Sequence, residues 1–151
     1  LRAENSLIKD VALSGADVIG HNIETPERFY PAVRPEADYR RSLEVLKKTR
    51  KANADVPLKS SIMLGLGEDE KDIFRTLGHL KEVGTDIVYM GQYLSPTKRH
   101  WPVKRFYSPQ EFNALRKEAL GMGFKVVFSG PLVRSSYKAF EAYRAYRGNV
   151  R

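Results

Sequence analysis

The sequence contains no cysteine, and this absence sets the first limits on its chemistry. Disulfides are excluded, and so is any metal site built only from thiolates of this chain. Its three histidines (His21, His79 and His100) are scattered and do not have the spacing of a zinc site. A metal site with thiolate ligands would therefore need cysteines from outside this sequence.

The sequence also lacks a long apolar run. No stretch approaches the roughly 18 residues that span a bilayer. The start, LRAENSLIKD, has neither the apolar core nor the cleavage site of a signal peptide. It begins without Met and has the pattern of the middle of a helix, so we expect the chain to be cut from a longer protein. No membrane partner is expected.

Acidic residues are outnumbered by basic ones. The 151 residues include 26 Lys and Arg against 18 Asp and Glu, a net charge of +8. Such a surface suits nucleic acid, an anionic membrane or an acidic protein, and charge alone does not choose among them. The densest basic run, at 47–51, shares a helical stretch with Leu43 and Leu46, so we interpret it as a solvated helix face.

Short buried-strand candidates alternate with stretches of helical apolar spacing. The strand candidates are 16–24, 57–65, 85–93 and 124–130, and the helix candidates are 4–15, 39–54, 68–84, 109–123 and 136–148. Asp38 is predicted to cap the second helix, and Ser108 with Glu111 to form a capping box before another. This order predicts an α/β fold with a parallel sheet, in one domain. Four strands are half of a barrel, and we expect the second half of one.

Polar residues follow the first two predicted strands, where parallel sheets collect their chemistry. Asn22 and Glu24 share a face of the strand and could hydrogen-bond to the two hydroxyls of a diol. The alternative is that they hydrogen-bond to the loop that follows. Gly65 and Gly67 would let the backbone approach a flat ligand, with Glu68 opening the next helix. The alternative is a tight turn with a capping acid.

The third strand ends in Gln92 and Tyr93 and leads into a basic loop, residues 98–105, that holds the only Trp. The cations of this loop are Lys98, Arg99, His100, Lys104 and Arg105. An aromatic residue among cations could stack on nucleic acid, or the loop could meet an acidic protein.

The fourth strand ends in SGPLVRSSYKA. Ser135 or Ser136 could cap the last helix, but one serine and Arg134 are then left without a role.

Four stretches in this order resemble the carboxy-terminal half of the lipoyl synthases, a family of radical S-adenosylmethionine (SAM) enzymes. They are HNIETPERFYPAVRPEADYRRSLEVL, KSSIMLGLGEDE, GQYLSPTKRHWPVKRF and SGPLVRSSYKA. The resemblance is nearly collinear from about Gly15 to Ala139, although Ser61 stands where the family usually has glycine. It implies the second half of a partial (β/α)6 barrel, with an Arg-Ser-Ser-Tyr segment and a helix over 134–148.

The resemblance further implies a sulfurtransferase that inserts sulfur at C6 and C8 of an octanoyl chain on a carrier-domain lysine. Its cofactors would be two 4Fe–4S clusters and SAM. Its partners would be an octanoylated lipoyl carrier domain or glycine cleavage H protein, and an electron donor such as ferredoxin or flavodoxin. The compartment would be the cytoplasm, or the mitochondrial matrix of a eukaryote. The family's six cluster cysteines are absent here, so we expect this chain to be inactive alone.

The resemblance also assigns site residues, by their positions in the four matching stretches. The residues implied near SAM are Asn22, Glu24, Gly65, Gly67 and Glu68. Those implied near the octanoyl chain and its acidic carrier are Gln92, Tyr93, Lys98, Arg99, Lys104 and Arg105. Either Ser135 or Ser136 would ligate the auxiliary cluster, with Arg134 favouring the anion. The alternative function is a basic module that binds nucleic acid or an acidic carrier without catalysis.

Overall fold

The computed structural model describes residues 3–149 as strands alternating with helices. Within this range the strands are β1 (Ile19–Gly20), β2 (Leu58–Leu64), β3 (Ile87–Gln92) and β4 (Val126–Gly130). The helices are α1 (Asn5–Ala12), α2 (Tyr30–Val33), α3 (Tyr39–Ala52), α4 (Glu70–Glu82), α5 (Pro109–Gly121) and α6 (Ala139–Asn149). A 3-10 turn, Glu27–Phe29, leads into α2.

The four strands form one parallel sheet in chain order, β1–β2–β3–β4. Each crossover from β2 onward carries one long helix, as parallel pairing requires. The predicted α/β fold with a parallel sheet is confirmed. That the sheet is half of a barrel stays a prediction.

The two faces of the sheet are covered differently, because alternate strand residues point to opposite sides. On the helical face, strand residues pack against α3, α4 and α5 in the main core; they include Leu58, Ile62, Leu64, Val88, Met90 and Val127. The other face, called here the open face, carries Lys59, Ser61, Met63, Tyr89, Gly91 and Phe128. Helix α6 lies on the open face, where its Ala142 packs with Ile87, Tyr89 and Val126.

Local capping sets where the helices begin. The Asp38 carboxylate accepts a hydrogen bond from the Arg41 N–H at 2.7 Å, so α3 begins at Tyr39 as predicted. Ser108 and Glu111 form the predicted capping box of α5. A second capping box, formed by Asp69 and Asp72, starts α4. The sequence pattern did not reveal it, because Asp72 stands where a capping box usually has Glu or Gln.

Two parts of the structure differ from the sequence prediction. The 3-10 turn and α2, over 27–33, were not indicated by the apolar pattern. The last helix begins at Ala139, beyond both serines, so neither Ser135 nor Ser136 is its N-cap. The physical reason is that the chain before α6 packs on the open face of the sheet. It turns toward α6 only at Lys138, which has φ +47°. None of the helices described over 3–149 is both long and apolar enough to cross a membrane.

Candidate functional site

A cavity of about 170 Å³ on the open face brings together residues from separate parts of the chain. Four residues singled out from the sequence line it: Glu24, Gln92, Arg134 and Ser135. The other lining residues include Ser61, Met63, Tyr89, Gly91, Leu94 and Val133. A larger cavity of about 760 Å³ follows the edge of β4, but none of the predicted site residues lines it. The smaller cavity is therefore the candidate site.

Glu24 is held at this cavity by its backbone. Its N–H donates to the Ser61 carbonyl at 2.9 Å, and its own carbonyl accepts from the Met63 N–H at 2.8 Å. The residue has φ +68°, a left-handed conformation that is uncommon for a residue with a side chain. Asn22 reaches the same carboxylate, with Nδ2 donating to Oε1 at 3.2 Å. The structure thus places Asn22 and Glu24 together, with an amide and a carboxylate available at one strand end.

The chain beyond β4 folds back over the open face as a docked segment, residues 133–135. Val133 is buried against the sheet, and the Arg134 guanidinium turns back to donate to the Val133 carbonyl at 2.8 Å. The Lys59 ammonium donates to the Ser135 carbonyl at 2.8 Å. The docked segment is therefore fixed to β2 and β3 and not left as a free loop.

The two serines of this region have different surroundings. Ser135 is half-buried and lines the cavity, whereas Ser136 is exposed. Within residues 3–149, neither hydroxyl makes a side-chain hydrogen bond. Ser135 is thus the serine whose hydroxyl is available beside Arg134 and Glu24.

The glycine turn after β2 is held by Glu68. One carboxylate oxygen of Glu68 accepts from the Gly65 N–H at 2.6 Å, and the other accepts from the Leu66 N–H at 2.8 Å. Gly65 and Gly67 both have φ +110°, which a residue with a Cβ rarely adopts. Glu68 is buried and caps the turn, so its carboxylate shapes the loop; its contact with SAM stays a prediction.

Gln92 and Tyr93 are buried, and they anchor the segment that follows β3. The Gln92 amide donates to the Arg105 carbonyl at 3.0 Å and accepts from the Tyr107 N–H at 3.0 Å. The Tyr93 hydroxyl donates to the Trp101 carbonyl at 2.8 Å. Gln92 also lines the cavity, whereas Tyr93 packs in a small apolar cluster away from it. Through these hydrogen bonds, Gln92 and Tyr93 hold the basic loop at the end of β3.

The cations of the basic loop lie on the surface but differ in their partners. Arg105 pairs with Glu111 and lies over the Tyr107 ring, with Cζ 4.3 Å from its centroid. Lys104 lies over Trp101, with Nζ 5.8 Å from the ring centroid. Lys98 and Arg99 are exposed, and their side chains have no acidic partner among residues 3–149. Lys98 and Arg99 thus carry the least compensated charge of the loop.

Sequence reasoning missed four residues on the open face: Lys59, Ser61, Tyr89 and Gly91. A glycine inside a strand is a known sign of a close backbone approach, so Gly91 could have been noticed. Burial raises the pKa of Tyr89 to about 12, and its buried hydroxyl has no hydrogen-bond partner among residues 3–149. Burial lowers the pKa of Lys59. Ser61, Tyr89 and Gly91 line the cavity, whereas Lys59 does not.

The chain by itself offers few metal ligands. Over residues 3–149, no group of three or more His, Cys, Asp or Glu side chains could hold a metal ion. An iron–sulfur cluster is held mainly by thiolates, of which this chain has none. Three residues that line the cavity carry hydroxyls, namely Ser61, Tyr89 and Ser135, and one, Arg134, is a cation. The cavity therefore offers oxygen donors to a cluster but none of the thiolates that would hold most of it.

Comparison with known proteins gives consistent matches. Over 140 residues the chain is 51% identical to the lipoyl synthase of Rubrobacter xylanophilus, covering 93% of this chain and 44% of that protein. Over 143 residues it is 47% identical to the mitochondrial lipoyl synthase of Candida albicans, covering 94% of this chain and 37% of that protein. Over 135 residues it is 44% identical to the lipoyl synthase of Alkaliphilus metalliredigens, covering 89% of this chain and 47% of that protein.

The chain thus spans less than half the length of the curated relatives described above. No protein-family model matches it.

Proposed function

The chain is a homologue of the lipoyl synthases, and from this premise we propose that it supplies the SAM-facing, serine-contributing part of such an enzyme. The proposed reaction is the insertion of sulfur at C6 and C8 of a protein-bound octanoyl-lysine. The single observation that carries the proposal is the cavity on the open face. It brings together residues from all four stretches of the sequence resemblance, namely Glu24, Ser61, Met63, Gln92, Arg134 and Ser135. Gly65, Gly67 and Glu68 do not line it.

In the proposed enzyme, Ser135 is the candidate oxygen ligand of the auxiliary cluster. Ser135 lines the cavity, and Ser136 does not. Arg134 lines the same cavity, and a nearby cation favours the deprotonated form of a hydroxyl. When bound, two 4Fe–4S clusters and SAM would supply the radical and sulfur chemistry.

The SAM-facing role falls to the strand ends. The Asn22–Glu24 pair offers acceptors and donors that suit a ribose diol, at a backbone position that is fixed by β2. In the glycine turn at 65–67, Glu68 holds the backbone in shape, and Gly65 packs closely against Gln92 and the Arg105 carbonyl. The proposed contact of this turn with SAM rests on the resemblance. Neighbouring strands and the remaining cluster ligands would come from the other half of a (β/α)6 barrel.

The proposed partner is an octanoylated carrier domain with an acidic surface, such as a lipoyl domain or H protein. The basic loop is its candidate contact, because Lys98 and Arg99 are exposed and without acidic partners in the part of the chain described. An electron donor such as ferredoxin or flavodoxin would be needed as well. Such chemistry fits a reducing compartment, the cytoplasm or the mitochondrial matrix.

A nucleic-acid platform is less well supported. The Trp101 indole donates to the Leu66 carbonyl at 2.9 Å and packs edge-on to Phe29 at 6.2 Å between ring centroids. Its ring is thus engaged in holding the loop, whereas stacking on bases needs a free aromatic face.

The deciding experiment uses the coding sequence upstream of Leu1 to express the full-length protein anaerobically with iron and sulfide. Wild type and the variants Ser135→Ala and Ser136→Ala are assayed for 5′-deoxyadenosine and for lipoyl product on an octanoylated carrier. We expect wild type and Ser136→Ala to make product, and Ser135→Ala to cleave SAM without inserting sulfur. Absence of upstream cysteines together with absence of SAM cleavage would overturn the proposal.

A further inference from the structure

We propose that Lys59 is a positioning residue that holds Ser135 at the cavity. The proposed role of Lys59 rests on the function proposed above, although the contact itself lies within this chain. Lys59 lies on β2 and Ser135 on the docked segment, 76 residues later in the chain. The Lys59 ammonium donates to the Ser135 carbonyl at 2.8 Å.

The course of the Lys59 side chain is constrained on two sides. A Cβ placed on Gly20, in the neighbouring strand, would lie 2.9 Å from the Lys59 Cε and 3.6 Å from Nζ. On the other side, Nζ lies 5.4 Å from the centroid of the Tyr89 ring. The absence of a side chain at Gly20 and the presence of a ring at Tyr89 therefore direct the lysine toward the docked segment.

No carboxylate among residues 3–149 forms a salt bridge with Lys59, and burial lowers the pKa of this lysine. A cation in a half-buried position gains most from its remaining hydrogen bonds, because its hydration has been reduced. The carbonyl of Ser135 is the acceptor that the side chain reaches, so the lysine and the docked segment stabilise one another.

The consequence is specific to Ser135. Its carbonyl is held by Lys59, the carbonyl of Arg134 accepts from the Tyr137 N–H at 2.9 Å, and the carbonyl of Val133 accepts from the Arg134 guanidinium. Because the carbonyls of three successive residues are held in this way, Ser135 stays at the cavity. Without the Lys59 ammonium, the Ser135 carbonyl would lose its donor, and Ser135 would no longer be held at the cavity.

The test measures amide hydrogen exchange in the full-length protein for Lys59→Met and Lys59→Arg. We expect Lys59→Met to raise exchange in residues 134–138 by about tenfold, with β2 and β3 unchanged, and Lys59→Arg to restore much of the protection. The matched control is Lys81→Met, since Lys81 also donates to a backbone carbonyl, that of Gly123, outside the site. Unchanged exchange in residues 134–138 for Lys59→Met would overturn the proposal.

A second readout links the contact to function. In protein loaded with iron and sulfide, we expect the Mössbauer spectrum of Lys59→Met to show a changed site in one cluster. SAM cleavage should continue while lipoyl product falls at least about tenfold. An unaltered spectrum and unaltered product with raised exchange would overturn the positioning role. If wild type lacks activity but Lys59→Met still raises exchange, the proposed function fails and the contact stands.

Discussion

The Val133 carbonyl oxygen occupies the space where a side chain of Gly91 would be. A Cβ placed on Gly91 would lie 2.1 Å from this oxygen, a separation that real Cβ atoms do not show. The contacting atom is backbone and not the end of a flexible side chain, so it cannot move away alone. Gly91 thus determines how closely the docked segment approaches β3.

We expect Gly91→Ala to displace the docked segment and to lower the free energy of unfolding by about 2–4 kcal/mol. Chemical denaturation measures the stability, and hydrogen exchange over residues 133–138 measures the displacement. The control is Gly78→Ala in α4, where a Cβ would meet nothing within 4 Å. That variant should gain about 0.5–1 kcal/mol, because alanine favours helix more than glycine does. Equal effects of the two variants would contradict the role of Gly91.

Glu68→Gln tests whether this buried acid shapes the glycine turn. A glutamine offers one acceptor oxygen to the two N–H groups that the carboxylate now satisfies. We therefore expect the free energy of unfolding to fall by about 1–3 kcal/mol. Because this turn is a proposed SAM contact, equilibrium binding of SAM to the folded full-length protein should weaken together with stability. A large loss of SAM affinity without loss of stability would instead indicate direct contact.

Asp72 predicts a dependence of stability on pH. Burial alone raises its pKa, but hydrogen bonds from Arg28 and from the Asp69 backbone, with the charge of Arg75, hold the pKa below its usual 3.8. The ionised group therefore stabilises the folded state at neutral pH, and this is lost as pH falls through the lowered pKa. Asp72→Asn should cost about 1–2 kcal/mol at pH 7 in urea unfolding, and less near pH 3. Asp10→Asn, at an exposed position of α1, should show no such difference.

The basic loop predicts an association rate that depends on salt. Removing two cations with Lys98→Ala and Arg99→Ala should lower the association rate with an octanoylated acidic carrier about 3- to 10-fold at low salt. The difference should vanish at high salt, where exposed charges are screened. Lys47→Ala with Lys51→Ala removes the same charge from α3 and serves as control. Equal loss in both double variants would mean that net charge alone, and not this loop, steers the carrier.

Local signals in the sequence were sufficient for the order of the strands and of the long helices, but not for α2. Ser108 and Glu111 lie three residues apart, and their capping box follows from residue types at that spacing. The same holds for Asp38, and the alternation of strands with helices was enough to predict the parallel sheet. The predicted start of the last helix at residue 136 was wrong, since the helix begins at Ala139. The chain before it packs on the open face of the sheet, and this distant contact overrides the local preference.

The candidate site was only partly accessible to sequence reasoning. The residue types at strand ends indicated Glu24 and either Ser135 or Ser136, but the sequence did not distinguish the two serines. Ser135 is the one whose carbonyl accepts a hydrogen bond from a lysine 76 residues earlier. No periodicity or spacing encodes that contact. Glu68 and Gln92 were assigned to ligands by resemblance, and their geometry adds structural roles that only the folded backbone reveals.

The position of α6 on the open face has a consequence for synthesis on the ribosome. The sheet and its three outer helices emerge before α6 does, so the face carrying Tyr89 and Phe128 is uncovered while translation continues. Apolar surface that is exposed in this way is a target for chaperones and for aggregation. Slow translation of the codons for α6 would lengthen this vulnerable interval.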